Sequence, residues 1–237
     1  NLFMSNKKKT AVLILAAGSG LRAKSATPKQ YLRIGKKFLL EHTLESFINI
    51  DLVDFISVVI NKNHYALYTT VSSIFKSKKL LPHCIGGASR SESVRKGLMA
   101  IENYEIEKVL IHDAARPFTS KKLIEECIKA LDEYDAVLPG INVTDTLWER
   151  SKSLSQPNFV TGIGPNRDTL VRAQTPQAFN FNYILEQHKN NKRSFSDDIF
   201  LAFQDSKKVR IIEGSKRNFK ITTPDDINLA EDLIKNV

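Results

Sequence analysis

Residues Ala11-Val12-Leu13-Ile14-Leu15-Ala16-Ala17-Gly18-Ser19-Gly20-Leu21-Arg22, with Thr27-Pro28-Lys29-Gln30 shortly after, decide how the rest of the chain is read. Ala11–Leu15 is apolar throughout, the pattern of a strand covered on both faces. The glycines that follow let backbone N–H groups approach an anion closely, and a helix start beyond them adds its positive dipole. The stretch is neither a P-loop nor a dinucleotide fingerprint, because the third glycine and the Gly-Lys-Ser/Thr ending are absent. Arg22 and Lys29 fall in the same loop, where two cations suit a triphosphate.

The same apolar signature recurs at Ile56–Ile60, Val109–Ile111, Ala136–Leu138 and Val209–Ile212. Between these strands lie helical patterns at Leu39–Ile48, Tyr65–Phe75, Glu92–Tyr104, Lys121–Tyr134, Asp197–Phe203 and Asp225–Ile234. Thr223-Pro224-Asp225-Asp226 supplies the last helix with a cap residue, a first-turn proline and acids at the dipole's positive end. The alternation predicts an α/β fold, Rossmann-like, with a mainly parallel sheet and helices on both faces. The stretch from about 142 to 172 breaks the rhythm. It is polar and turn-rich, with strand-like pieces at Thr146–Glu149 and Asn158–Thr161, and reads as a protruding β-hairpin arm. One domain over residues 10–237 is expected, preceded by a flexible lead at 1–9.

The 237 residues carry 35 Lys and Arg against 26 Asp and Glu, a formal charge of +9. That surplus suits a polyanionic partner. Apolar residues at 42% and charged residues at 26% exclude a disordered tail, a collagen-like chain or a disulfide-knotted mini-domain. Two cysteines, Cys84 and Cys127, make no disulfide framework and point to a reducing, cytoplasmic setting. The apolar run Ala11–Ala17 is far short of a membrane span or a secretory leader. Basic clusters at Lys76/Lys78/Lys79 and Lys207/Lys208/Arg210 lack interleaved aromatics and read as solvated surface rather than nucleic-acid contacts.

A second loop with chemical potential is His112-Asp113-Ala114-Ala115-Arg116-Pro117, at the end of a strand, where open α/β sheets bind ligands. Asp113 can orient a hydrated Mg²⁺ or a hydroxyl; Arg116 can take a phosphate or simply pair with Asp113. His112 reads as a packed strand-end histidine. Gly86-Gly87-Ala88-Ser89-Arg90-Ser91-Glu92-Ser93 is a glycine turn opening a helix, able to read a base edge, although turn formation plus capping explains it as well. Thr175-Pro176-Gln177-Ala178-Phe179 and Lys220-Ile221-Thr222-Thr223-Pro224 set polar groups beside proline-fixed turns. On composition alone Lys220 is an ordinary surface lysine.

Taken in this order, the Ala16–Arg22, Pro28–Gln30, His112–Pro117, Asp145-Thr146, Thr175–Phe179 and Lys220–Pro224 motifs resemble the 2-C-methyl-D-erythritol 4-phosphate cytidylyltransferase family of the non-mevalonate isoprenoid pathway. The resemblance runs from about Thr10 to Ile234. It implies transfer of CMP from CTP to 2-C-methyl-D-erythritol 4-phosphate with release of pyrophosphate. It further implies that Ala16, Ala17, Gly18 and Gly20 line the nucleotide, with Gly87, Ala88 and Ser93 near its base and ribose. Arg22 and Lys29 would bind the triphosphate, and Asp113 would lie near Mg²⁺. Asp113, Arg116, Thr146, Arg167, Thr175 and Lys220 would hold the sugar-alcohol phosphate, with Arg167 and Lys220 also stabilising the transition state. In such proteins the arm carrying Arg167 crosses a homodimer.

Two departures stand out. Ala88 occupies a place where some members carry an acid, and Ser196-Asp197 replaces a frequent Thr-Asp. No second, metal-cyclase-like module is seen, so the unfused form is expected. Two rival readings stay open on residues alone: cytidylyl transfer to ribitol 5-phosphate, and a non-catalytic nucleotide- or nucleic-acid-binding module. Ala-Ala-Gly and His-Asp-Ala-Ala-Arg-Pro favour the methylerythritol enzyme over the ribitol one. Arg22 and Lys29 together favour catalysis over binding alone.

Overall fold

The computed structural model describes residues 8–18, 27–153, 158–191 and 193–235. In chain order it contains β1 (Lys9–Ala16), β2 (Arg33–Ile34), β3 (Lys37–Phe38), α1 (Leu39–Ile48), β4 (Phe55–Ile60), α2 (Tyr65–Ser72), β5 (Cys84–Ile85), α3 (Arg90–Ala100) and β6 (Ile106–Asp113). There follow α4 (Lys121–Ala130), β7 (Ala136–Asn142), β8 (Trp148–Arg150), β9 (Val160–Ile163), β10 (Val171–Ala173), β11 (Gln177–Asn180), α5 (Phe181–Asn190), α6 (Ile199–Gln204), β12 (Val209–Glu213) and α7 (Pro224–Lys235).

β5, β4, β1 and β6 are joined by parallel pairing in that order, with Ala11 beside Phe55 on one side and Val109 on the other. Counting parallel strands along the chain, this is third, second, first, fourth. The order therefore reverses between β1 and β6, which is the topological switch point of a doubly wound sheet. β11 runs antiparallel between β6 and β7, and β12 lies parallel to β7 at the far edge. The sheet is thus mixed but mostly parallel.

Strand alternation sends side chains to two cores. Val12, Ile14, Val58 and Ile60 meet Leu44 and Phe47 of α1, Val71 of α2 and Ile124 of α4. Ala11, Leu13, Val109 and Ile111 meet Leu98 of α3, Ile184 of α5 and Leu201 of α6. Helices therefore cover both faces, as the uninterrupted apolar strands require. A third, small core packs Ala230 of α7 against Ile34, Leu39 and Ile221, which anchors the Lys220 loop. Among the described residues no helix is long and apolar enough to cross a membrane.

The structure corrects some element limits. β11 and α5 occupy residues 177–190, where the sequence suggested only a proline-fixed turn. A cis Thr175–Pro176 peptide precedes β11, and Gln177, Ala178 and Phe179 are all buried. The hairpin strands begin two residues later than expected, with Trp148 facing Ile163. The ends of the supposed arm belong to the main sheet, since Asn142 pairs with Val171 and Ile141 with Arg172. α3 begins at Arg90, two residues before the expected Glu92, because Ser89 caps it by accepting from the Glu92 N–H at 3.1 Å.

Candidate active site

A cavity of about 670 Å³ opens where β1, β4 and β6 end. It is lined by Ala16, Ala17 and Gly18 at the end of β1, by Asn61 after β4 and by Asp113, Ala114 and Ala115 at the end of β6. Gly87, Ala88, Arg90 and Ser93 close one wall, and Lys29, Gln30 and Lys220 reach in from other loops. The site therefore occupies the switch point, where the strand order leaves a crevice. Its volume suits a small organic ligand.

Gln30 is buried, and its Nε2 donates to Ala16 O at 2.7 Å and to Gly18 O at 2.9 Å. One side-chain amide thus pins two carbonyls of the turn after β1. Lys29 Nζ donates to Ile221 O at 2.8 Å, tying this segment to the Lys220 loop. Gly20 and Arg22 lie outside the described residues.

On the opposite wall, Gly87 N–H donates to Ser93 Oγ at 3.1 Å, and Ala88 N–H donates to Glu92 Oε2 at 2.9 Å. Ser93 in turn donates to Ser89 O at 2.9 Å. Both N–H groups of the turn, and the Ser93 hydroxyl hydrogen, are therefore spent inside it. Gly86 is glycine for a packing reason: a Cβ there would lie 2.6 Å from Ala17 Cβ and 2.8 Å from Ser93 Oγ. This close approach brings the α3 turn against the β1 turn.

Asp113 gathers the charge. Lys220 Nζ lies 2.9 Å from its Oδ2, and Arg116 Nε is at 3.7 Å. Burial alone would raise the Asp113 pKa, but Lys220, Arg90 and Arg116 more than reverse this and hold it well below the usual carboxylate range. Arg116 does not line the cavity. Its fork donates to Asn218 O at 2.7 Å and reaches Ala173 O at 3.5 Å, so it ties loops together.

Behind Asp113 lies a buried polar network. His112 Nε2 faces Arg116 O at 3.0 Å, and a carbonyl only accepts, so Nε2 carries the hydrogen. Burial pushes the His112 pKa down to about 4, so the ring is neutral and its Nδ1 is a bare acceptor. Thr175 Oγ1, 3.0 Å away, donates to that Nδ1 while accepting the Asp113 N–H at 3.1 Å. Thr175 therefore holds Asp113 from behind and has no hydroxyl hydrogen left for a substrate. Asn218, fully buried, accepts from Thr119 at 2.9 Å and donates to Thr175 O at 2.8 Å, fixing the loop that ends in Lys220.

Thr146 and Arg167 are not brought to this cavity by their own chain. Both are exposed on the 142–172 excursion, where Arg167 donates to Thr144 O at 2.7 Å. Sequence reasoning missed Gln30, Asn61, Arg90, His112 and Asn218 as parts of the site, and it set Thr175 on the acceptor, whereas the structure sets its hydroxyl between His112 and the Asp113 N–H. For Arg90 a signal existed, an arginine at the first turn of a helix that opens on the glycine turn.

Among the described residues Asp113 is the one acidic side chain lining the cavity, and no group of three or more His, Cys, Asp or Glu can hold a metal. A single carboxylate completed by ligand phosphates and water is a donor set that fits Mg²⁺ and fits zinc poorly.

The family model for 2-C-methyl-D-erythritol 4-phosphate cytidylyltransferase (IspD) matches residues 10–236. The bifunctional enzyme IspD/IspF of Wolbachia pipientis wMel is 39% identical over 233 residues, covering 98% of this chain and 57% of that protein. The chain thus spans little more than half the length of such two-module relatives. The 2-C-methyl-D-erythritol 4-phosphate cytidylyltransferase of Clostridium botulinum (strain Loch Maree / Type A3) is 37% identical over 235 residues, covering 97% and 99% of the two chains. The crystal structure of 4-diphosphocytidyl-2C-methyl-D-erythritol synthase from Anaerococcus prevotii DSM 20548 is similar with a TM-score of 0.81 at 30% identity, covering 96% of each chain.

Proposed function

The chain belongs to the 2-C-methyl-D-erythritol 4-phosphate cytidylyltransferase family, and on that premise we propose that it transfers CMP from CTP to 2-C-methyl-D-erythritol 4-phosphate in isoprenoid biosynthesis. The observation that carries this reading is the convergence of Lys29, Asp113 and Lys220, from three distant segments, on one cavity at the switch point.

The reaction joins an oxygen of the acceptor phosphate to the α-phosphorus of CTP and breaks the bond to the β-phosphate, releasing pyrophosphate. A phosphate monoester has its second pKa near ~6, so it is largely a dianion at neutral pH and needs no general base. The barrier is the approach of a dianion to a polyanion, which positioned cations lower. Lys29, and Arg22 by the family resemblance, supply charge on the nucleotide side, and Lys220 supplies it beside Asp113. Mg²⁺, held by Asp113 together with nucleotide phosphates, would add Lewis-acid neutralisation of the phosphate charge.

The arm enters through a homodimer in this reading. Trp148, Phe159, Val160 and Ile163 are 58–74% exposed on it, an apolar surface suited to burial against a second copy. Arg167 and Thr146 would then serve the partner's cavity. Both cysteines are free, which agrees with a cytoplasmic setting.

The test is pyrophosphate release with CTP and Mg²⁺, run in parallel with methylerythritol 4-phosphate and ribitol 5-phosphate. Release with the first alone is expected. Release with ribitol 5-phosphate alone would overturn the acceptor and the pathway while leaving the nucleotide site standing.

A further inference from the structure

The cavity has two sides that differ in chemistry. Lys29 Nζ donates to Ile221 O, and Ile221 N–H donates to Ala115 O just past β6, so Lys29, Lys220 and Asp113 stand together on the β6 side. β4 lies on the other side of β1. There Gly86 N–H donates to Ile60 O at 2.8 Å, which sets the glycine turn beside Asn61, the first residue after β4. A triphosphate is drawn to the cations, which leaves the β4 side for the base it carries.

Asn61 is half-buried on this wall, and its own turn fixes which way its amide faces. Its Oδ1 accepts from Asn63 N–H at 2.9 Å, and its main-chain oxygen accepts from His64 N–H at 2.9 Å. A backbone N–H only donates, so the atom opposite Asn63 is the oxygen and Nδ2 is directed away from it. Among the described residues Nδ2 has no partner. The His64 ring anchors the turn by packing edge-on against buried Tyr31, with ring centres 5.6 Å apart. What Asn61 offers the cavity is therefore a donor in a fixed orientation. The facing turn offers none of this kind from Gly87, Ala88 or Ser93, whose donors are spent inside it. Ser89 also lines the cavity, but a hydroxyl both gives and takes hydrogen bonds and so discriminates poorly between a donor and an acceptor.

We propose that Asn61 is a specificity-determining residue, selecting cytosine over uracil by donating an Nδ2 hydrogen to N3 of the pyrimidine. This rests on the reading of the cavity as the CTP site. N3 of cytosine is a bare acceptor, whereas N3 of uracil carries a hydrogen, and enzymes read such differences on the Watson–Crick edge. A fixed donor bonds the first and meets the second donor to donor. The mismatch leaves two desolvated groups unpaired, which discriminates more strongly than the mere loss of a contact.

The test is equilibrium binding of CTP and of UTP to the full chain, with the ratio of the two affinities as the readout. Asn61→Asp keeps the size of the side chain and the acceptor for Asn63 N–H, but sets an acceptor where the donor was. Its added charge repels both triphosphates alike and cancels in the ratio. The wild-type protein is expected to favour CTP, and Asn61→Asp to reduce that preference by roughly tenfold or more. Asn61→Ser keeps a capping oxygen and adds no charge. It should weaken CTP several-fold without weakening UTP, and thermal unfolding of both variants should stay close to wild type. A wild-type CTP-to-UTP ratio in Asn61→Asp would overturn the assignment, as would a wild-type protein that binds UTP as tightly as CTP. If the wild-type protein binds neither nucleotide, the reading of the cavity as a nucleotide site fails first, and the role of Asn61 falls with it.

Discussion

Lys29 and Lys220 are bound to other parts of the protein, Lys29 to Ile221 O and Lys220 to Asp113. Cations positioned by the protein's own groups need little reorganisation as charge develops in the transition state. Lys29→Ala or Lys220→Ala should leave the fold intact and lower kcat by ~10²–10³-fold. Near-normal turnover in both would remove the electrostatic mechanism. His112 makes a prediction of opposite kind, about stability. Its folded pKa, about 4, lies below the ordinary 6.5. The unfolded chain therefore takes up the proton first. Stability is fully present above pH 6.5 and falls as pH drops toward 4, at ~1.4 kcal/mol per unit or ~2 kcal/mol between pH 6.5 and 5. His64 is lowered in the same direction by burial and adds to the slope. Asp113, also depressed, acts only below the ordinary carboxylate pKa, so it does not contribute in this window. Urea unfolding at pH 7 and pH 5 measures the slope. A His112→Gln protein should show a visibly flatter one, and an unchanged slope would mean that the ring is not buried neutral.

At the scale of elements, α3 shows how tightly a helix can be pressed on the sheet. A Cβ on Gly97 would lie 2.6 Å from Leu13 Cδ1 and 2.7 Å from Val59 Cγ2, both in fully buried side chains. Glycine inside a helix ordinarily costs about 1 kcal/mol relative to alanine, so Gly97→Ala would stabilise an open helix. Here overpacking costs ~1–3 kcal/mol and wins, because Leu13 and Val59 have nowhere to go. Denaturant titration should show net loss; a gain would mean that α3 rides farther from the sheet. The elements legible in the sequence were those whose own pattern is strong. β1, β4 and β12 are continuous apolar runs, and α1 was placed residue for residue at Leu39–Ile48. β11 and α5 were not legible. β11 is four residues long, follows a proline and owes its burial to insertion between β6 and β7, which no local pattern encodes. In α5, Phe181, Ile184 and Leu185 do keep helical spacing, but the next position of the buried stripe is a histidine, His188, which leaves the apolar pattern short. The site divides in the same way. Gly18 and Asp113 lie at strand ends and Lys29 follows a proline in the loop after β1, so all three could be found locally. Arg90 and Asp198 are 108 positions apart in the sequence and meet only because α3 and α6 cover the same face.

At the scale of the whole molecule, the proposed function requires Arg167 to reach a cavity built from the central sheet. In its own chain that residue lies on the arm beyond β7, bonded to Thr144 O, and it does not line the cavity. The arm also carries Trp148 and Ile163 outward, 58% and 74% exposed, and its β8–β9 pair forms a sheet separate from the main one. An isolated two-stranded hairpin is marginal in water, so this one is expected to gain its stability by docking. A second copy related by a twofold axis is the natural partner, because one such interface would bury both arms. Subunit mixing tests this directly. Arg167→Ala and Lys220→Ala homodimers should each be nearly inactive. In an equal mixture that has exchanged subunits, half the dimers are mixed. In each of these, the cavity of the Arg167→Ala chain has an intact Lys220 and receives an intact arm, whereas the other cavity lacks both. Activity should therefore recover to about a quarter of wild type under twofold symmetry. Recovery requires exchange, so it should appear only after co-refolding or co-expression. If Arg167 served its own chain, each mixed dimer would hold two defective sites, and the mixture would stay as inactive as its parents.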